Sequence, residues 1–319
     1  MLLAVLKKGV KQLPILEVKD LSISFNQYIG GLKQKELNVI SSLDVSLEKG
    51  EILAIVGASG SGKSLLAHAI LGILPSNANI SGTIKYVDEK LTTERQAKLR
   101  GKEIVLIPQS VNYLDPLMRV GKQVRNSVNH GNPIKAQREV FERLHLNKEV
   151  ERMFPFQLSG GMARRVLLAT AIVSGAQLII ADEPTPGLDP VVIKEALKNF
   201  RDFADNGHTV MFITHDIESA LTIADKIAVF YAGTTVEIAS VEDFTGDGSA
   251  LRHPYSKVLW KALPQNDFTP IQGSQPQPSD LPSGCLFASR CQMATSECRE
   301  AQPKMRKLRD GMVRCIHAT

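Results

Sequence analysis

EILAIVGASGSGKSLLAHAILGIL, residues 51–74, is the stretch whose reading decides the fold. Ile52 to Val56 is an unbroken apolar run, the pattern of a strand buried on both faces of a sheet. From Ser64 onward the apolar residues fall at helical spacing. Between the two lies G-x-x-x-x-G-K-S, running from Gly57 to Ser64. A glycine-rich turn that leaves a buried strand and enters a helix is the context a phosphate-binding loop requires.

The chemistry follows from the residue types. Glycine lets successive backbone N–H groups converge on phosphate oxygens at the positive end of a helix. The nucleotide-binding set is therefore Gly57, Ser59, Gly60, Ser61, Gly62, Lys63, Ser64 and Leu65. Lys63 reaches the β- and γ-phosphate oxygens of ATP, and the Ser64 hydroxyl ligates Mg²⁺. An ordinary Gly/Ser turn would leave the Lys63-Ser64 pair unexplained.

Outward from this unit, residues 15–25 (ILEVKDLSISF) and 39–47 alternate apolar and polar side chains and predict an antiparallel sheet leading into the core. Further strands are expected at 103–107, 177–181 and 209–213, with helices at 161–174 and 190–206. Strands and helices in alternation predict an α/β fold with a mostly parallel, doubly wound sheet. The polar stretch between Gln109 and Leu158, with helical periodicity at 135–145, reads as an inserted helical subdomain over about 110–160.

The strand QLIIAD delivers two adjacent carboxylates, Asp182 and Glu183, to the carboxyl edge of the sheet. Neighbouring residues on extended chain point differently, so the pair can divide labour. Asp182 would hold Mg²⁺ through its water shell, and Glu183 would polarise the water that attacks the γ-phosphorus. Acidic residues at a strand end are commonly just solvated; the position of this pair relative to Lys63 favours catalysis.

Leu158-Ser-Gly-Gly-Met162, followed by Ala163-Arg164-Arg165, then resembles the signature loop of ATP-binding cassette (ABC) proteins. In that family two cassettes pair head to tail. The resemblance implies that Ser159, Gly160, Gly161 and Met162 serve the nucleotide held by a partner. It also makes Gln109 the Q-loop residue, a further Mg²⁺ contact beside Ser64. Gly187-Leu188-Asp189 is similar to the D-loop, with Asp189 its acidic residue, and His215 to the switch histidine. Family cassettes stack adenine on an aromatic from the early antiparallel sheet, which points to Phe25, with Tyr28 as the alternative. Arg164 stands where many members carry Gln, and Pro186 is uncommon in a D-loop.

Bulk properties set limits. Of 319 residues, 43% are apolar and 22% charged, the composition of a folded globular protein. No apolar run approaches the roughly 18 residues that span a bilayer. The net charge of +5 is spread along the chain apart from Lys304, Arg306, Lys307 and Arg309, which favours a solvated face over a nucleic-acid partner. Residues 1–14 read as a cytosolic leader, 15–252 as the cassette and 253–319 as a tail set apart by the Pro/Gln/Ser run after Pro264.

All four cysteines lie in that tail, spaced C-x5-C-x6-C-x16-C. Four thiolates can close a site for Zn²⁺ or an iron–sulfur cluster, and spacing does not choose between them. His253-Pro254-Tyr255 and Leu263-Pro264 resemble a segment of cassettes from oligopeptide, dipeptide and nickel importers. Some members of that subfamily bind a [4Fe–4S] cluster, which assigns Cys285, Cys291, Cys298 and Cys315 as ligands, with Zn²⁺ the alternative and His317 a spare. Leu286 and Ala288-Ser289 depart from the usual residues between the first two cysteines.

The resemblance implies an ATPase that powers import of peptides, or alternatively of nickel or a metal chelate. It would sit peripherally on the cytoplasmic side of the cell membrane. Its partners would be a second, related cassette forming a heterodimer, two transmembrane permeases and an extracytoplasmic substrate-binding protein. A soluble cassette acting on nucleic acid or the ribosome would need a longer insert or a second phosphate loop. A nucleotide-holding partner without activity would lack Glu183 or His215.

Overall fold

The computed structural model describes residues 13–28 and 34–319, so the expected leader lies outside the described residues except for Leu13 and Pro14. β1 (Leu16–Tyr28) and β2 (Gln34–Leu47) form the expected antiparallel pair, with Leu16 opposite Leu47 and Phe25 opposite Leu37. Leu16, Val18, Leu21 and Ile23 are buried. A turn at Gly50, whose φ of 76° suits glycine, feeds β3 (Ile52–Gly57), and the phosphate loop ends in α1 (Lys63–Leu71). β4 (Ala78–Tyr86) returns to β1, and the short β5 (Glu89–Lys90) completes a four-stranded sheet ordered β2-β1-β4-β5.

α2 (Thr93–Leu99), N-capped by Thr92, leads to β6 (Ile104–Ile107). The insert follows, with α3 (Val120–Asn126) and α4 (Pro133–Arg143). Periodicity placed the second helix at 135–145. It starts two residues earlier because the Asn132 side chain accepts hydrogen bonds from Ile134 N and Lys135 N, with Pro133 in the first turn. It stops before His145, which takes a φ of 51°. Val120, Val124, Val140 and Phe141 pack into one core with Val166 and Leu167 of α5 (Gly160–Ser174).

Beyond α5 come β7 (Leu178–Asp182), α6 (Pro190–Asp205), β8 (Thr209–Thr214), α7 (Ile217–Ile223), β9 (Lys226–Tyr231) and β10 (Thr234–Ser240). α8 (Pro254–Lys261), α9 (Glu297–Glu300), β11 (Arg306–Leu308) and β12 (Gly311–Val313) end the chain. The main sheet is ordered β11-β12-β10-β9-β3-β8-β7-β6. β9, β3, β8, β7 and β6 run parallel, and the remaining strands join antiparallel. Alternate residues of β3 feed two cores: Ile52, Ala54 and Val56 one side, Leu53 and Ile55 the other. That burial explains why the strand reads as a continuous apolar run.

The tail is less separate than its composition suggests. β12 pairs with β10, so the carboxyl end extends the catalytic sheet. Leu286 and Phe287 sit in the main core, and the Phe287 ring lies 5.3 Å from that of Tyr255 and 5.4 Å from that of Tyr231. Arg252 and Glu237, with side chains 2% and 0% exposed, form a buried ion pair at 3.4 Å, and Arg252 also donates to Asp243 and to the Leu308 carbonyl. Arg314 reaches back to Asp44 at 2.6 Å. Such pairs are fully hydrogen-bonded, as burial of charge demands.

Candidate active site

Gly57, Gly60 and Gly62 shape the loop for different reasons. A Cβ at Gly57 would meet the Phe230 carbonyl oxygen at 2.5 Å, whereas Gly60 and Gly62 take φ of 77° and 92°. Ile40 of β2 backs Gly62, a contact no local sequence signal announces. Lys63 Nζ donates to the carbonyls of Gly57 at 2.8 Å and Ala58 at 3.0 Å. Burial lowers its pKa, while Glu183 and Asp182 pull it back up.

Two buried polar atoms beside the loop have no hydrogen-bond partner, Ser61 Oγ and Asp182 Oδ1. Buried groups are seldom left so, and an oxygen of this kind facing a phosphate loop is a fitting ligand for a hydrated cation. Burial raises the Asp182 pKa, and the Ser64 hydroxyl brings it partly down. Ser64 and Asp182 thus form the donor set suited to Mg²⁺. Phe25 is half-buried against the second core, and Tyr28 is 68% exposed.

The expected base, Q-loop glutamine and switch histidine meet at one carboxylate. Gln109 Nε2 donates to Glu183 Oε2 at 3.0 Å, and His215 Nδ1 contacts Glu183 Oε1 at 3.2 Å. They arrive from the ends of β6, β7 and β8, adjacent strands of the parallel sheet. Glu183 has a φ of 45°, the left-handed region. A non-glycine residue held there stores about 1–2 kcal/mol of strain. Its N–H donates to the Ile213 carbonyl at 2.9 Å, and its carbonyl accepts from Arg164 Nη1 at 3.2 Å. Arg164 was legible in sequence only as a departure from a pattern.

The signature residues lie elsewhere in the chain's own network. Ser159 N-caps α5 by accepting from Met162 N at 3.3 Å. Gly160 is exposed, and a Cβ there would meet nothing within 4 Å. Nothing in this chain's packing requires glycine at that position. Asp189 N-caps α6, accepting from Val192 N at 3.1 Å.

In the tail, Cys285, Cys291, Cys298 and Cys315 line one pocket together with His253 and His317. Burial pushes the Cys285, Cys291 and Cys315 thiols up, backbone hydrogen bonds bring them partly down, and the neighbouring cysteines push them up again. Among the described residues, no three His, Cys, Asp or Glu side chains are grouped to hold one metal ion. Four thiolates on a single zinc would stand roughly 3.8 Å apart at Zn–S of about 2.3 Å. The four thiols share a pocket without forming a grouped metal site among the described residues.

This fold and site define an ATP-binding cassette. Residues 40–186 match the ABC transporter family and residues 236–298 match the oligopeptide/dipeptide transporter C-terminal region. The chain is 34% identical over 323 aligned residues to the oligopeptide transport ATP-binding protein AppD of Bacillus subtilis, covering 95% of this chain and 96% of that one. It is 36% identical over 318 residues to OppD, the oligopeptide transport ATP-binding protein of the same organism, covering 93% and 86%. It belongs to the ABC transporter ATP-binding proteins of the oligopeptide/dipeptide type. A dimeric bacterial ABC transporter cassette shares the fold, with a TM-score of 0.63 at 24% identity over 71% of this chain and 98% of that one.

Proposed function

We propose that this chain hydrolyses Mg-ATP within a head-to-tail pair of cassettes and thereby powers import of peptides through a membrane transporter. The observation that carries the reading is the convergence of Gln109 and His215 on the two carboxylate oxygens of Glu183, beside a phosphate loop armed with Lys63.

The residues divide the work. The loop N–H groups and Lys63 grip the β- and γ-phosphates. Glu183 accepts a proton from the attacking water as its oxygen bonds to the γ-phosphorus and the bond to the leaving ADP oxygen breaks. Gln109 and His215 hold that carboxylate in place. Ser64, Asp182 and Gln109 would hold Mg²⁺, which would supply positive charge to offset that of the phosphates. Ser159, Gly160 and Gly161 would complete the partner's site, and a Cβ at Gly160 would meet nothing within 4 Å in this chain. Asp189 would contribute at the interface, and Phe25, with Tyr28 as alternative, would stack on adenine.

Among the described residues no helix is long and apolar enough to cross a membrane. The transporter would therefore comprise this subunit on the cytoplasmic face, a second and related cassette as heterodimer partner, two permease chains and a substrate-binding protein. The division at residues 15–252 and 253–319 would separate nucleotide handling from a subfamily-specific tail. The names of the similar Bacillus proteins support peptides as cargo; nickel rests on the resemblance of the tail alone. The thiol pocket would hold a [4Fe–4S] cluster on Cys285, Cys291, Cys298 and Cys315, with Zn²⁺ the second choice.

The test is transport by the complete assembly in proteoliposomes. The wild type should accumulate labelled peptide with ATP, and Glu183→Gln should bind ATP normally while hydrolysing only at a small residual rate and failing to transport. Unchanged hydrolysis in that variant refutes the base assignment, and accumulation of nickel without peptide replaces the cargo.

A further inference from the structure

Arg164 and Arg165 are adjacent on α5, one turn beyond the signature glycines, yet they point to different parts of the molecule. Arg165 donates through Nε to the Gly161 carbonyl at 3.3 Å and through Nη1 to the carbonyls of Leu144 at 3.4 Å and His145 at 3.1 Å. It binds the signature helix to the helical insert. Arg164 turns the other way and donates to the main-chain oxygen of Glu183 at 3.2 Å. A Cβ built on Gly187 would lie 3.9 Å from Arg164 Nε, so the guanidinium also lies against the turn that joins Glu183 to Asp189.

The bond falls at a sensitive place. Glu183 is the first residue past β7, and its φ of 45° swings its carbonyl out of the ladder while its N–H stays bonded to β8. A left-handed residue persists only where its surroundings over-determine it. At this position the restraints are the Ile213 carbonyl on one side of the peptide and the Arg164 guanidinium on the other. Relaxation of the backbone would turn the carboxylate away from Gln109 and His215.

We propose that Arg164 is a positioning residue for the hydrolytic reaction: it fixes the main chain of Glu183 and ties the base of one nucleotide site to the helix whose signature loop serves the other. The proposal rests on Glu183 being the base. Loss of a donor to a neutral carbonyl, and the misplaced base that follows, should lower the rate about tenfold, which corresponds to about 1.4 kcal/mol.

The test uses the complete transporter in proteoliposomes with Arg164→Ala, Arg164→Gln and Arg164→Lys. Arg164→Ala should lower kcat about tenfold with KM for ATP unchanged, and Arg164→Lys, which retains a donor, should recover most of the loss. The residual rate of Glu183→Gln, followed by single-turnover phosphate release, should be the same with and without Arg164→Ala, because the arginine acts through the missing carboxylate. Wild-type kcat in Arg164→Ala overturns the proposal. So does a raised KM at constant kcat, or a further drop on the Glu183→Gln background, which would reveal a general structural role. Should Arg164→Ala fail to fold, the Gln and Lys variants carry the same comparison. Wild-type turnover in Glu183→Gln removes the base assignment itself, and it is read in a protein whose Arg164 is intact, so the two failures are told apart.

Discussion

Gly160→Ala separates what the signature loop does within this chain from what it does for a partner. The residue opens α5, is exposed, and has no positive φ. A methyl group there would touch nothing within 4 Å, so no steric penalty arises in the isolated chain. Alanine is the better helix former and restricts the unfolded chain, which together predict stabilisation of about 0.5–1 kcal/mol. For a chain of this size that raises Tm by roughly 1–3 °C. Turnover should move the other way. If the glycine lets backbone N–H groups close on a partner's γ-phosphate, a methyl group in that gap holds the phosphate away from a pre-organised donor. Losses of that kind run to about 10²–10³ in kcat. The assay pairs thermal unfolding of the isolated subunit with ATP turnover of the assembled transporter. Full turnover in the variant would refute the shared nucleotide site, and a lowered Tm would refute the open geometry around Gly160.

Three further outcomes are expected. Gly57→Ala forces a Cβ to within 2.5 Å of the Phe230 carbonyl and 3.1 Å of Ser61 Oγ; it should destabilise by about 1–3 kcal/mol and weaken ATP binding, and wild-type stability in urea would contradict that close approach. Burial raises the Glu51 pKa despite the Lys226 ammonium at 2.7 Å. Its contribution to stability is therefore present below the unfolded value and lost as pH rises through the folded one. Glu51→Gln, neutral throughout, should gain stability relative to the wild type as pH rises above 4.5, and a constant difference across urea titrations would count against it. Protein purified without oxygen should carry iron and acid-labile sulfide in equal amounts, both lost in Cys285→Ser with Cys315→Ser. Zinc without sulfide would replace the cluster by a single ion, and absence of both metals would leave the pocket a cluster of buried thiols.

Much of the site could be read from the chain alone because its determinants are local. The phosphate loop needs a buried strand, glycines that tolerate positive φ, and a helix start, all within residues 52–71. Asp182 and Glu183 announce themselves by ending an apolar strand. Ser159 and Asp189 cap α5 and α6 through side chains bonded three residues ahead, determinants as local as those of the loop. The period of burial, two in β1 and continuous in β3, was equally visible.

What local pattern could not supply is any contact between residues distant in sequence. Arg314 and Asp44 are 270 positions apart, and Arg164 reaches a carbonyl 19 positions away that no side-chain pattern encodes. Composition separated the tail from the cassette, yet β12 extends the sheet through backbone hydrogen bonds that any side chain can make. The sequence by itself determined the nucleotide-binding motif and the alternation of strand and helix around it, because both depend on neighbouring dihedral angles and on burial. Only the tertiary structure decided which groups surround Glu183 and that four thiols share one pocket, because those juxtapositions depend on how the sheet is closed.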